Sequence, residues 1–158
     1  MRVRRDKYSG PLYYDAFAYA LRESRNPVVY NGDLRTVGEV AAFAGRFPDA
    51  DAVMIGRGAI ADPALFRKLR GGPPATRDEL RAFTSALFDA YTAFYDGQTG
   101  HAAQRMREVW FYLIHLFDDA RRLNKAMRRF RTATEYRTIE AEIFAALPLR
   151  TDSAGDLI

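Results

Sequence analysis

Two short stretches carry residue types suited to holding an anion. Asn31-Gly32-Asp33 follows the apolar run Pro27-Val28-Val29-Tyr30, and Gly56-Arg57-Gly58 follows Ala52-Val53-Met54-Ile55. Glycine at a strand end lets an anion approach successive backbone N–H groups and tolerates the backbone angles such a cradle needs. A short helix beginning soon after the second stretch adds the positive end of its dipole, and Arg57 offers a charged, bidentate contact. One such loop alone would read as a tight turn with Arg57 on the surface. Two loops, one β/α unit apart, favour a phosphate grip.

The elements that position these loops follow from the pattern around them. Tyr13 to Leu21 carries apolar residues at helical spacing and breaks at Arg25-Asn26-Pro27. Thr36 with Glu39 three residues on is a capping box that opens a helix running to about Phe47. Asp62-Pro63 reads as an N-cap and first helical position for a short helix ending near Leu69. Two short apolar strands with a helix between them form a βαβ unit, so parallel pairing is expected, with both faces covered. After Gly71-Gly72-Pro73-Pro74 the pattern is helical throughout. Thr76 and Glu79 make a second capping box, and Leu80, Phe83, Leu87, Tyr91 and Phe94 recur as one apolar face. Further helices are expected from about His101 to Phe117, from Asp119 to Phe130, with the acidic pair Asp118-Asp119 at its start, and from a cap near Thr134 to Leu147.

Composition narrows the chemistry. The 158 residues contain no cysteine, which excludes disulfides, thiolate metal sites and a cysteine nucleophile within them, and two histidines are too few for most metal centres. No metal site and no catalytic residue is assigned. No apolar run reaches the ~18–20 residues that span a bilayer, so a soluble protein without a membrane partner is expected, with the cytoplasm as its compartment. Residues 1–10 carry a net +3 and residues 101–131 a net +5, against +4 for the whole chain. Two basic regions on a mildly acidic body suit a polyanionic partner, nucleic acid first. Because 21 of the 24 basic residues are arginine, an arginine-favouring composition with solvated faces accounts for the charge equally well. Of Trp110, Phe111 and Tyr112, core packing is the expected role and base stacking the alternative. His101 is expected at a helix start and His115 in partial burial.

At these residues the sequence resembles a known family. NPVVYNGDL and DAVMIGRGAIADPALF resemble the last two strands of the tRNA-dihydrouridine synthases, flavin enzymes with a (β/α)8 barrel and a C-terminal helical domain. RMREVWFYLIHLF resembles that domain's basic-aromatic helix, FRTATEYRTIEAEIF its closing helix, and RVRRDKYSGP the loop after the sixth strand, together covering residues 2–147. The resemblance implies an α/β fold: the C-terminal part of a (β/α)8 TIM barrel, its last two β/α units, followed by an all-α helical bundle. It divides the chain into a partial barrel at 1–72, a helical tRNA-binding domain at 73–150 and a disordered tail at 151–158. It further implies contacts to the phosphate and ribityl end of FMN from Asn31, Gly32, Asp33, Gly56 and Arg57. Phosphates of tRNA would fall to Arg105, Arg107, Lys125, Arg128 and Arg129, with Arg105 and Lys125 foremost. Family enzymes reduce uridine in tRNA to dihydrouridine, with NADPH re-reducing the flavin.

The pattern also departs from the family. The first five strands and the family's cysteine have no counterpart, and the histidine that precedes the basic loop would lie just upstream of Met1. The chain alone is therefore expected to be inactive, as half of a two-chain enzyme, as a truncated piece, or as a non-catalytic tRNA-binding module. A convergent phosphate-binding barrel is a further alternative, against which the basic-aromatic helix argues. Two strands leave unpaired edges, so self-association or a missing N-terminal half is expected to cover them. Size-exclusion chromatography should show a species larger than a monomer, and a clean monomer peak would refute self-association.

Overall fold

The computed structural model describes residues 11–150; the basic segment 1–10 and the tail 151–158, expected to be disordered, lie outside the described residues. The chain forms two compact units, Met1–Gly58 and Ala59–Ile158. The division precedes the Gly71–Pro74 segment expected to separate them. A reason is visible at Arg67, whose guanidinium donates to Glu79 at 2.7 and 2.9 Å and to the carbonyls of Pro73 and Pro74 at 3.0 Å each, tying the short helix before the turn to the bundle after it.

In the first unit, helix α1 (Tyr14–Glu23), strand β1 (Val29–Asn31), helix α2 (Val37–Arg46) and strand β2 (Ala52–Met54) follow in order. The α2 capping box is complete: the Glu39 amide donates to Thr36 Oγ1 at 3.1 Å, and the Thr36 amide to Glu39 Oε2 at 2.9 Å. The strands pair in parallel with Val29 opposite Ala52, Tyr30 opposite Val53 and Asn31 opposite Met54. Tyr30 points into an aromatic core, its ring 4.1 Å from Phe43 and 5.0 Å from Phe17. The expected burial on both faces is not found. Val29 is 54% and Met54 46% exposed, because the helices of this unit cover one face of the sheet only.

Helix α3 (Arg57–Ala61) begins where a glycine loop was expected, and α4 (Leu65–Leu69) follows. Asp62 does not cap at the expected register. Its carboxylate accepts from the Ala64 amide at 3.0 Å and from Lys68 Nζ at 2.7 Å, holding the turn ahead of α4.

The second unit is built on α5 (Arg77–Phe94), α6 (Thr99–Leu113) with a 3-10 turn (Ile114–Leu116), α7 (Arg121–Met127) and α8 (Ala133–Ala146). The Thr76–Glu79 box opens α5 as expected. Hydrogen bonds from Arg67 and from the Thr76 backbone hold the Glu79 carboxyl down to about 2, so this clamp stays charged until strongly acidic pH. The buried stripe of α5 is Leu80, Thr84 and Phe88. Phe94, expected on the apolar face, is 76% exposed, because α5 ends there and Gly97, at φ +83°, turns the chain away. Asp118-Asp119 does not open α7 either. Asp119 sits at φ +54°, and Asp118 pairs with Arg150 at 3.0 Å. The α8 cap is Thr132 rather than Thr134, its side chain accepting from the Glu135 amide at 3.1 Å. Beyond Pro148, Leu149 bridges antiparallel to Phe117, which fastens the segment after α8 to the residue that follows the 3-10 turn.

A polar chain runs through the bundle core. Trp110 Nε1 donates to Tyr136 Oη at 3.3 Å, Tyr136 donates to Glu140, and Arg137 donates to the second Glu140 oxygen at 3.0 Å. Burial and the adjacent Glu140 carboxylate raise the Tyr136 hydroxyl well above the usual phenol range, so it remains a donor. Trp110, Tyr136 and Glu140 thereby each have a partner, which avoids the ~1–3 kcal/mol cost of leaving such a group unsatisfied.

His115 is half-buried, and burial, with Arg150 and Arg128 nearby, lowers its imidazole below the usual value. The unfolded chain then binds the proton first as pH falls, so stability is full above the unfolded pKa of about 6.5 and declines below it. Thermal melts between about pH 7.5 and 5.5 should show this decline, and His115→Gln should flatten it; an unchanged slope in the variant would contradict the assignment.

Candidate functional site

Parallel register brings the two candidate loops together. Asn31 lies opposite Met54 at the ends of β1 and β2, so Gly32-Asp33 and Ile55-Gly56-Arg57 leave the sheet side by side. Ligands of parallel α/β sheets bind outside such carboxyl ends. Asp33 joins the loops: one oxygen forms a short ion pair with Arg57 Nη2, and the other lies 3.6 Å from Arg35 Nη2. All three side chains are partly buried. Asn31 is exposed on the uncovered sheet face beside Met54.

The glycines divide by role. A Cβ on Gly58 would lie 2.7 Å from Arg35 Cα and 2.9 Å from the Leu34 carbonyl oxygen, so this residue lets the second loop close against the backbone of the first. A Cβ on Gly32 would lie 2.6 Å from Tyr30 Oη. Gly32 is therefore required by packing under the loop, not only by an approaching anion. Gly56 has no atom within 4 Å of a Cβ, which leaves open space at the second loop. Arg35 was missed in the sequence because it sits outside the glycine motif. Its only signal was a basic residue two positions after Asp33.

The five helical cations do not form one patch. Arg105 and Arg107 stand about 160° apart around α6. Arg105 is exposed, pairs with Glu108 at 2.9 Å, and lies 5.9 Å from the Tyr91 ring on α5. Arg107 is drawn inward instead, donating to the Phe130 carbonyl with its guanidinium 4.5 Å over the Phe130 ring. Its geometry is architectural. Lys125, Arg128 and Arg129 are exposed along α7 and its end, where Arg128 donates to Asn124 Oδ1 at 3.2 Å. Trp110 is fully buried as expected, whereas Phe111 is 39% exposed. His101 lies exposed in the first turn of α6, edge-on to Tyr95. Among the described residues no group of three or more His, Asp or Glu could hold a metal ion, and no helix is long and apolar enough to cross a membrane.

A family model described as dihydrouridine synthase matches residues 1–147. The tRNA-dihydrouridine(16) synthase of Ralstonia nicotianae is 29% identical over 160 residues, which cover 98% of this chain and 48% of that protein. The enzyme of the same name from Cupriavidus necator is 30% identical over 140 residues, 85% of this chain and 42% of the relative. The tRNA-dihydrouridine synthase B of Klebsiella pneumoniae is 27% identical over 125 residues, 75% and 39% respectively. The chain thus spans about half the length of these relatives or less.

The loop geometry distinguishes the two glycines of the second stretch. Gly58→Ala should destabilise the protein by about 1–3 kcal/mol, because the obstructing atoms are backbone, while Gly56→Ala should leave stability nearly unchanged. Chemical denaturation of both variants checks this; equal losses would refute the close approach as the reason for Gly58.

Proposed function

Because this chain belongs to the dihydrouridine synthase family, we propose that it supplies the flavin-phosphate grip and the RNA-binding helices of an FMN-dependent tRNA-dihydrouridine synthase. One observation carries the reading: the two strand-end loops meet through Asp33, with Arg57 and Arg35 on its two oxygens and open space at Gly56. Guanidiniums where the two loops meet supply the N–H donors and the positive charge that a phosphate recognises. The donor set therefore fits the group.

FMN, when bound, supplies the hydride for reduction of the uracil ring, and NADPH restores it. The residues of this chain bind and orient. A guanidinium carries five N–H donors in a rigid fork, so the Asp33 pair fixes the plane of Arg57 at the mouth of the loops, where the phosphate binds. Asn31, at the end of β1, offers both a donor and an acceptor to ribityl hydroxyls. Gly32 and Gly56 keep the loop backbones low enough for the phosphate to approach. The proton donor and the ring-binding loops come from sequence beyond these residues, since no cysteine is present. Alone, the chain is inactive; a partner half or self-association covers the open sheet face, and the working compartment is the cytoplasm.

The exposed cations Arg105, Lys125, Arg128 and Arg129 meet tRNA phosphates, with Arg107 bracing the surface behind them. A second reading, a non-catalytic tRNA-binding module, is favoured by one feature. Residues 120–134 carry six cations and no carboxylate. Arg122 pairs with Glu142, and exposed Lys125, Arg128 and Arg129 form a positive surface that needs no flavin to attract RNA.

Binding of FMN and of riboflavin to the full chain, followed by flavin fluorescence, tests the first reading. FMN should bind more tightly than riboflavin, and Arg57→Ala should weaken FMN by roughly 10–100-fold, the loss of a charged hydrogen bond, without changing riboflavin. Equal affinity for the two flavins, or none for either, would leave only the RNA-binding module.

A further inference from the structure

The geometry points to a base-stacking platform at Phe111, capped by Arg128, which takes an unpaired nucleobase of the bound RNA. This deepens the RNA reading above and rests on it. Phe111 leaves the helix bundle on the outer side of α6, 39% exposed, although Trp110 beside it is fully buried. Two neighbours fix its ring. Tyr112 meets it edge-on, with centroids 5.0 Å apart and planes at 85°. The Arg128 guanidinium lies 5.1 Å from its centroid, within cation–π range, and Asn124 Oδ1 holds the Arg128 Nε–H at 3.2 Å.

An exposed aromatic ring alone would not name a partner. Phe94 is more exposed, but Asp96 follows two positions on. At Phe111 the facing helix α7 is cationic, while Glu108, one turn back on α6, is paired with Arg105 at 2.9 Å. Arg128 belongs to the acid-free 120–134 segment, in which Lys125 and Arg129 are also exposed. Phosphates drawn to that ridge bring bases to the edge of a ring already paired with a guanidinium. Both surfaces stack on bases, and stacking is tolerant of sequence. A paired duplex keeps its bases within its own stack, so the platform acts on loops and splayed bases only.

Salt dependence separates stacking from phosphate contact. The full chain is titrated with an unmodified tRNA transcript and with a fully paired RNA duplex at several salt concentrations. Phe111→Leu should weaken tRNA about tenfold, leave duplex affinity unchanged, and keep the slope of log affinity against log salt. Lys125→Ala should weaken both RNAs and lower that slope by about 0.7–0.9. Phe111→Trp should retain tRNA affinity and lose emission on binding, beyond any change at Trp110 in the parent chain, whether or not the leucine variant folds. Wild-type tRNA affinity in Phe111→Leu, equal losses for tRNA and duplex, or unquenched Phe111→Trp would overturn the platform and leave the phosphate contacts standing. No tRNA binding by the parent chain at low salt would overturn the RNA reading itself, and the platform with it.

Discussion

A parallel two-stranded sheet offers two faces, and in this protein's first unit helices cover only one. Tyr30 takes the covered side, stacked on Phe43 and edge-on to Phe17. The side-chain period of two then places Val29, Asn31, Ala52 and Met54 on the other face. The same register that buries Tyr30 puts Asn31 at the strand end beside Met54, and so sets the two glycine loops next to each other. The Asp33 ion pairs follow from that alignment, and so does the exposed apolar face. A one-residue slip would bury Asn31, expel Tyr30 and pull the loops apart.

The helical unit solves a different problem, holding a cationic surface on a core rich in aromatic rings. Trp110, Tyr136, Phe117 and Phe144 pack inside, and the polar atoms they bring are paired through Glu140 and Arg137. Arg107 and Arg77 are spent on the architecture as well, donating to main-chain carbonyls at Phe130, and at Phe144 and Leu147. Arginine in this unit therefore has two occupations. Some side chains close helix ends from within, and others stand on the surface with nothing but solvent-facing neighbours to hold them.

That division explains where sequence reasoning succeeded. Both capping boxes, Thr36–Glu39 and Thr76–Glu79, form as their spacing requires, because the motif is satisfied within one turn. The parallel pairing was also legible, since two short apolar runs with a helix between them have few other solutions. The departures all involve partners distant in the chain or the local path of a turn. Phe94 matched the apolar period of α5 but lies at its last position, where the helix has stopped. Asp118 looked like a helix-opening acid and is instead the partner of Arg150, more than thirty residues on. Gly32 and Gly58 read as loop glycines, yet what demands them is Tyr30 Oη and the Arg35 backbone.

The sequence by itself determined the order of elements apart from α3 and the 3-10 turn, the helix starts with complete capping boxes, the candidate loops and the family. These follow from periodicity, capping chemistry and motif, all encoded over a few residues. Only the tertiary structure decided which arginines face inward, which ring of Trp110-Phe111-Tyr112 reaches solvent, and that Asp33 binds both Arg35 and Arg57. Each of those outcomes depends on distances between residues on different elements. A side chain's charge is written in the sequence, but its partner is chosen by packing.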